Sequence, residues 1–156
     1  MHVSLIESTR VYRGCVIPLD LLYDVDRDVW VRLEGEVATL GMTDPAQTRA
    51  GKLVAIRFRR PGTVVEQGRA LATIESGKWV GPFPAPFRCE IVETNQAAFE
   101  RDMLIANRDP YGDGWLVRVR PLAPEQLQEL VTGEEAFARY QKRIDQLDLH
   151  CFRCAE

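Results

Sequence analysis

Between Val29 and Ile74 the chain runs in short apolar or β-branched stretches divided by turn-forming residues, the spacing of a strand-rich fold. Residues 29–33, 37–40, 53–58 and 70–74 are the predicted strands. Glu34-Gly35 is the turn between the first two, since glycine supplies the positive φ that tight hairpins use. Thr43-Asp44-Pro45 has the form of a helix cap and first turn, giving a short helix that ends near Gly51.

A further strand is expected to leave the Ser76-Gly77-Lys78 turn at Trp79 and Val80, with residues 90–93 returning along the sheet. Pro82, Pro84 and Pro86 lie between them and cannot donate to a ladder, so that segment belongs at an edge or in an extended crossing. Residues 96–106 suit one or two helical turns, and residues 115–119 a last strand. Beyond Pro124 the period changes. Leu127, Leu130 and Val131, then Phe137, Tyr140, Ile144 and Leu147, recur at helical steps, predicting two helices divided by Gly133 whose apolar stripe packs on the sheet.

A chain of 156 residues is long enough for one core, so the expectation is one domain over 1–156, with helices at 124–148 and a cysteine-containing tail at 149–156. Hydrophobic residues at 46% and charged residues at 28% fit an ordinary globular protein rather than a disordered or fibrous one. A formal net charge of -3 argues against nucleic acid as a partner, despite the local cluster Arg57, Arg59 and Arg60. The first ten residues include Glu7 and lack a signal-peptide core, and no stretch has the length of a membrane span. The expected location is the cytoplasm, with no membrane partner.

Several blocks, in order, carry a resemblance. They are Val29-Trp30-Val31-Arg32, Ala38-Thr39-Leu40-Gly41-Met42-Thr43-Asp44, Pro61-Gly62-Thr63-Val64-Val65-Glu66-Gln67-Gly68, Glu75-Ser76-Gly77-Lys78, and the run from Asn107 to Trp115. Together they resemble the glycine cleavage system H protein family over about three-fifths of the chain. The resemblance implies a mainly β fold with minor α, a flattened β-barrel or barrel-sandwich hybrid lipoyl domain with short helices and a C-terminal helical segment. It also implies a carrier rather than an enzyme, with no catalytic residue of its own and covalent lipoate on Lys78. Its partners would be a lipoate ligase or lipoyl transferase, dihydrolipoyl dehydrogenase and the enzymes that load and unload the arm.

The placement has its own physical reason. A carrier lysine must be exposed for ligation and free of a carboxylate partner, and a hairpin tip held by two strands meets both needs. The ordinary alternative for any one lysine is a solvated surface charge. Glu75 and Trp79 flank the turn as candidates for recognition of the hairpin, Glu75 equally well as a polar strand-end residue. Trp30, Trp115, Phe58 and Tyr111 are expected to pack in the core or on the sheet.

The chain departs from the ordinary family pattern at Gly77, at the bulky Trp79 and the Val80-Gly81-Pro82-Phe83-Pro84 that follows, at Asp28, and at Cys89 in the opposing turn. Cys15 and the terminal His150-Cys151-Phe152-Arg153-Cys154 also lie outside it. Extra thiols on a dithiol carrier suggest sulfur traffic. They favour the H-protein-like lipoate-binding proteins of bacterial sulfur oxidation, which work with a heterodisulfide-reductase-like complex, over an aminomethyl carrier of glycine cleavage.

The C-x-x-C of Cys151 and Cys154 opens a different class, a small thiol oxidoreductase, against the plainer reading of a frayed tail with incidental thiols. No second ligand pair accompanies it and His150, so a metal site is not expected. Cys15 and Cys89 are read chiefly as small packing residues, with Cys89 kept as a candidate thiol for its place near the arm. A third class is an unmodified interaction domain that has outlived its cofactor.

Overall fold

The computed structural model describes residues 8–153. The described residues open with a hairpin, β1 (Thr9–Tyr12) and β2 (Cys15–Pro18), which the apolar pattern does not announce. A meander follows: β3 (Leu22–Asp24), β4 (Val29–Glu34) and β5 (Val37–Met42). The predicted turn closes β4 on β5, with Glu34 paired to Val37 and Gly35 at φ 66°.

Helix α1 (Asp44–Ala50) is capped as expected, its Ala46 N–H donating to the Thr43 hydroxyl over 3.3 Å. Then come β6 (Leu53–Phe58), β7 (Val64–Val65), β8 (Ala70–Ser76), β9 (Val80–Pro84) and β10 (Cys89–Thr94). Helices α2 (Gln96–Arg101) and α3 (Ile105–Arg108) lead to β11 (Val117–Pro121).

Two larger sheets result. One has seven antiparallel strands in the order β3-β4-β5-β11-β10-β7 with a further strand outside β3, and the other has three in the order β6-β8-β9. They share a core that includes Val31, Leu40, Ile74, Phe83, Phe87, Ile91 and Val119. The period of two that identifies β8 as a strand is visible in its burial: Ala72, Ile74 and Ser76 face inward, Thr73 and Glu75 outward. The fold is mainly β, with both sheets open at their edges.

Two expectations need correction. Residues 90–93 do not return beside the Lys78 hairpin; β10 crosses to the seven-stranded sheet, where it pairs with β11 and β7. The segment with Pro82 and Pro84 does lie at an edge, as expected: it is β9, the hairpin partner of β8, where the two prolines leave no ladder donor unmet.

At the C-terminus, the 124–148 stretch does hold two helices, the second starting at Gly133, but the first is short and a strand lies between them. It is a single turn, α4 (Pro124–Leu127), then a strand, β12 (Val131–Thr132), then α5 (Gly133–Leu147). Val131 and Thr132 pair with Tyr23 and Leu22, so tertiary strand pairing overrides the local helical period.

Helix α5 buries Ala136, Tyr140 and Ile144 at four-residue steps against Ile17, Tyr23 and Trp30, forming a second core. Its start is capped by Thr132, and Glu134 and Glu135 in its first turn complement the helix dipole. Trp30 is fully buried and its indole N–H donates to the Pro110 carbonyl at 2.9 Å. Among the described residues no helix is long and apolar enough to cross a membrane.

Candidate functional site

The β8–β9 hairpin turns through Gly77, Lys78 and Trp79. Ser76 holds this turn. Its backbone N–H donates to the Trp79 carbonyl at 2.8 Å, its hydroxyl donates to the same oxygen at 3.4 Å, and that hydroxyl accepts from the Lys78 N–H at 3.3 Å. Ser76 itself is buried, which anchors the turn at the end of β8. Ser76 has this role in addition to its place in the turn; a hydroxyl two residues before the lysine is the signal of such a local side-chain bond.

Lys78 is exposed, and among the described residues its ammonium makes no ion pair. Its stem crosses Gly51, the residue that closes α1. A β-carbon on Gly51 would stand 3.0 Å from Lys78 Cε and 3.8 Å from Nζ. Gly51 is itself fixed from below. Its N–H donates to the Gln47 carbonyl, and its own carbonyl accepts from the Asn107 side-chain amide at 2.8 Å. Asn107 is buried, accepts from Leu53 N–H at 3.0 Å and donates to Gln47 Oε1 at 3.2 Å, tying α1, β6 and α3 together beneath the hairpin. No reading of the sequence assigned Asn107 this part, since its partners lie more than fifty residues away.

Beside Lys78 lies a cleft of about 530 Å³. Met42, Ile74, Trp79 and Phe83 give it an apolar wall, and Asp28 and Arg49 stand at its polar side. Asp28 takes a hydrogen bond from the Tyr140 hydroxyl at 2.9 Å and lies 3.5 Å from both Arg49 and Arg143. Burial outweighs these partners and raises its carboxyl above the ordinary range.

The recognition candidates fall on opposite sides of the turn's chemistry. Glu75 is exposed at the end of β8, cross-strand from Val80, and has no ion pair among the described residues. Trp79 is 41% exposed and lies in the cleft wall.

The cysteine expectations change most. Cys151 is bonded to Cys15, 136 positions earlier, with the two Cα atoms 4.7 Å apart. The reason is the unforeseen β1–β2 hairpin, whose Arg13 carbonyl accepts the Cys151 N–H at 3.0 Å and so lays the tail alongside Cys15. Cys151 is therefore not half of a free C-x-x-C, and Cys15 is not a simple packing residue. Cys154 lies outside the described residues.

The tail is also held further on, where the Phe152 carbonyl accepts from Gln47 Nε2 at 2.8 Å. Cys89 is fully buried, and burial pushes its thiol up to about 12, so it is not a reactive thiol near the arm. Among the described residues no three His, Cys, Asp or Glu side chains gather as a metal-ligand set.

An exposed amine without an ion pair among the described residues, on a hydrogen-bonded turn, with its stem on a glycine and an apolar cleft alongside, fits a covalently attached acyl chain. Comparison with known proteins agrees in kind. The family model described as glycine cleavage H-protein matches residues 21–143. Two relatives from Aquifex aeolicus, glycine cleavage system H proteins 2 and 3, are 46% and 49% identical, covering 93% and 92% of this chain and 91% of each relative.

The crystal structure of a glycine cleavage system H protein from Mycobacterium marinum superposes with a TM-score of 0.69 at 33% identity, covering 80% of this chain and 98% of that one. The chain thus belongs to the glycine cleavage H-protein family, whose members carry lipoate covalently attached to a lysine.

Proposed function

We propose that Lys78 is the lipoylated lysine and that the protein is a carrier, presenting a loaded arm to separate enzymes without catalysing a reaction itself. The observation that supports this most is the pose of Lys78: exposed, without a carboxylate partner among the described residues, and resting on Gly51 at the mouth of the cleft. Lipoate, when bound, supplies a disulfide that interconverts with a dithiol.

The protein's own residues do the rest. Ser76 holds the turn, Gly51 leaves room for the lysine stem, and the apolar wall offers a resting place where the aliphatic chain is shielded from water. An outward Glu75 next to the turn suits recognition by a lipoate ligase or lipoyl transferase.

For the cargo, the names of the relatives support an aminomethyl group of glycine cleavage better than a sulfur intermediate. The extra thiols also favour sulfur less, because Cys15 and Cys151 are tied to each other and Cys89 is buried. The proposed partners are accordingly the enzymes of glycine cleavage, with dihydrolipoyl dehydrogenase re-oxidising the arm.

The test is intact-mass spectrometry with peptide mapping of protein produced in a lipoylating host, for wild type and Lys78→Arg. A lipoyl mass on the Lys78 peptide, absent from the folded arginine variant, is the expected result. Lipoylation that persists in Lys78→Arg would remove the assignment. Incubation of the modified protein with glycine and the decarboxylating enzyme of glycine cleavage should then load the arm; a sulfur adduct on native protein would instead favour the sulfur-oxidation reading.

A further inference from the structure

Residues 151–153 lie against α1 and are held there by polar contacts. The Cys151 N–H donates to the Arg13 carbonyl, the Phe152 carbonyl accepts from Gln47 Nε2 at 2.8 Å and from the Thr48 hydroxyl at 3.4 Å, and Arg153 lies 3.5 Å from Asp44. The Phe152 side chain is 59% exposed, so it gives the tail little apolar anchor. Beneath these contacts Asp44, Gln47 and Thr48 are buried polar side chains, and the tail is part of what keeps water from them.

One covalent bond closes this cover, and its two halves differ in access: Cys15 is fully buried, whereas Cys151 is only partly so. A short polar segment pays the entropy of ordering with few contacts in return, and the bond offsets this by keeping the tail at a high effective concentration over α1. Gln47 then connects the cover to the site. Its Nε2 donates to the Phe152 carbonyl, and its Oε1 accepts from the Asn107 amide, which also donates to the Gly51 carbonyl under Lys78.

We infer that Cys15–Cys151 is an exchangeable disulfide, a redox site separate from any arm on Lys78, which takes a dithiol as its reductant and on opening releases the tail from α1. The accessible sulfur is that of Cys151. A thiolate of the dithiol attacks it, Cys15 leaves as a thiolate and takes up a proton, and the second thiol of the reductant then closes its own disulfide and frees Cys151. Two electrons and two protons pass to the protein, and the dithiol leaves oxidised. With the bond open, water reaches Gln47 and Thr48, Gln47 loses the Phe152 carbonyl as an acceptor, and the seat of Lys78 loosens through Asn107 and Gly51.

The experiment uses full-length protein free of lipoate, as its intact mass confirms, incubated under native conditions with free dihydrolipoamide as the dithiol. Peptide mapping after alkylation follows the linked Cys15–Cys151 peptide, the lipoamide formed is measured beside it, and hydrogen exchange is compared between oxidised and reduced protein. Cys151→Ser, which lacks the bond without any reductant, is the second reading of the open state.

The linked peptide should disappear as lipoamide forms in equal amount. Amide exchange over residues 47–51 should then rise about tenfold in the reduced protein and in Cys151→Ser, as expected of a local opening, with β10 and β11 unchanged. A bond that stays linked against excess dihydrolipoamide would overturn the exchange. Unchanged exchange over residues 47–51 in the reduced protein, or a rise of equal size throughout both sheets, would overturn the release of the tail. None of these outcomes bears on the assignment of Lys78, which the lipoyl mass tests.

Discussion

The side chain of Lys78 rests on Gly51, with a β-carbon at Gly51 placed 3.0 Å from Lys78 Cε. The glycine is required twice over, because its backbone at φ 83° and ψ -171° is in a region that essentially only glycine occupies. Gly51→Ala should therefore lower stability by about 1–3 kcal/mol. Lys78→Arg, at an exposed position, should stay within about 0.5 kcal/mol of wild type. Urea unfolding of the two variants checks both, and a neutral Gly51→Ala would show that the helix end relaxes freely beneath the hairpin.

Asn107 should be costly to replace. Its side chain serves Leu53 N–H, the Gly51 carbonyl and Gln47 in a buried setting. Truncation in Asn107→Ala leaves a buried backbone donor and acceptor unmet, so a loss of about 2–4 kcal/mol is expected. Denaturant titration reads it, and hydrogen exchange at Leu53 should accelerate alongside; an unchanged midpoint would deny Asn107 this role.

Reduction of the Cys15–Cys151 bond should destabilise the protein without exposing Cys89. The bond spans 136 positions, and closing a long loop of this kind is worth about 2–5 kcal/mol. A reductant should lower the thermal midpoint of wild type, and leave that of Cys15→Ser unchanged. Cys15→Ser and Cys151→Ser should have similar midpoints, because each removes the same bond. Under native conditions iodoacetamide should not label Cys89, whose thiol is buried and raised to about 12. Rapid labelling there would contradict its burial.

Asp28 makes stability depend on pH in the sense opposite to a carboxylate whose partners outweigh its burial. Burial raises its folded-state value despite Arg143, the Tyr140 hydroxyl and Arg49. Between the ordinary carboxyl value and the raised one, the folded state binds more protons than the unfolded state. The stability contributed by the protonated group is thus complete below the ordinary value and is lost as pH rises through the raised one. Asp28→Asn should flatten this part of the stability curve, on the alkaline side of the ordinary carboxyl value. Urea midpoints across that range measure it, and identical slopes in the two proteins would refute it.

How much was legible beforehand varied along the chain. The strands at β4, β5, β6 and β8 and the capped helix at Thr43 follow from period and capping chemistry. The exposed Lys78 turn was expected from family resemblance and from the physical needs of a carrier lysine. By contrast, Val131 looked helical and became a strand because Tyr23 offered it a partner. The nearby Cys154 looked like the natural partner of Cys151, but the β1–β2 hairpin supplied Cys15.

The same division runs through the site. The amino-acid sequence by itself determined the local features: where chain periods change, which residue caps α1, and which lysine stands between two strands. These depend on interactions over a few residues. Only the tertiary structure decided that Gly51 lies under Lys78, that Asn107 braces Gly51, and that the tail is bonded to the first hairpin. Such contacts join segments tens of residues apart, and they become favourable only when the whole core has already paid the entropy of bringing those segments together.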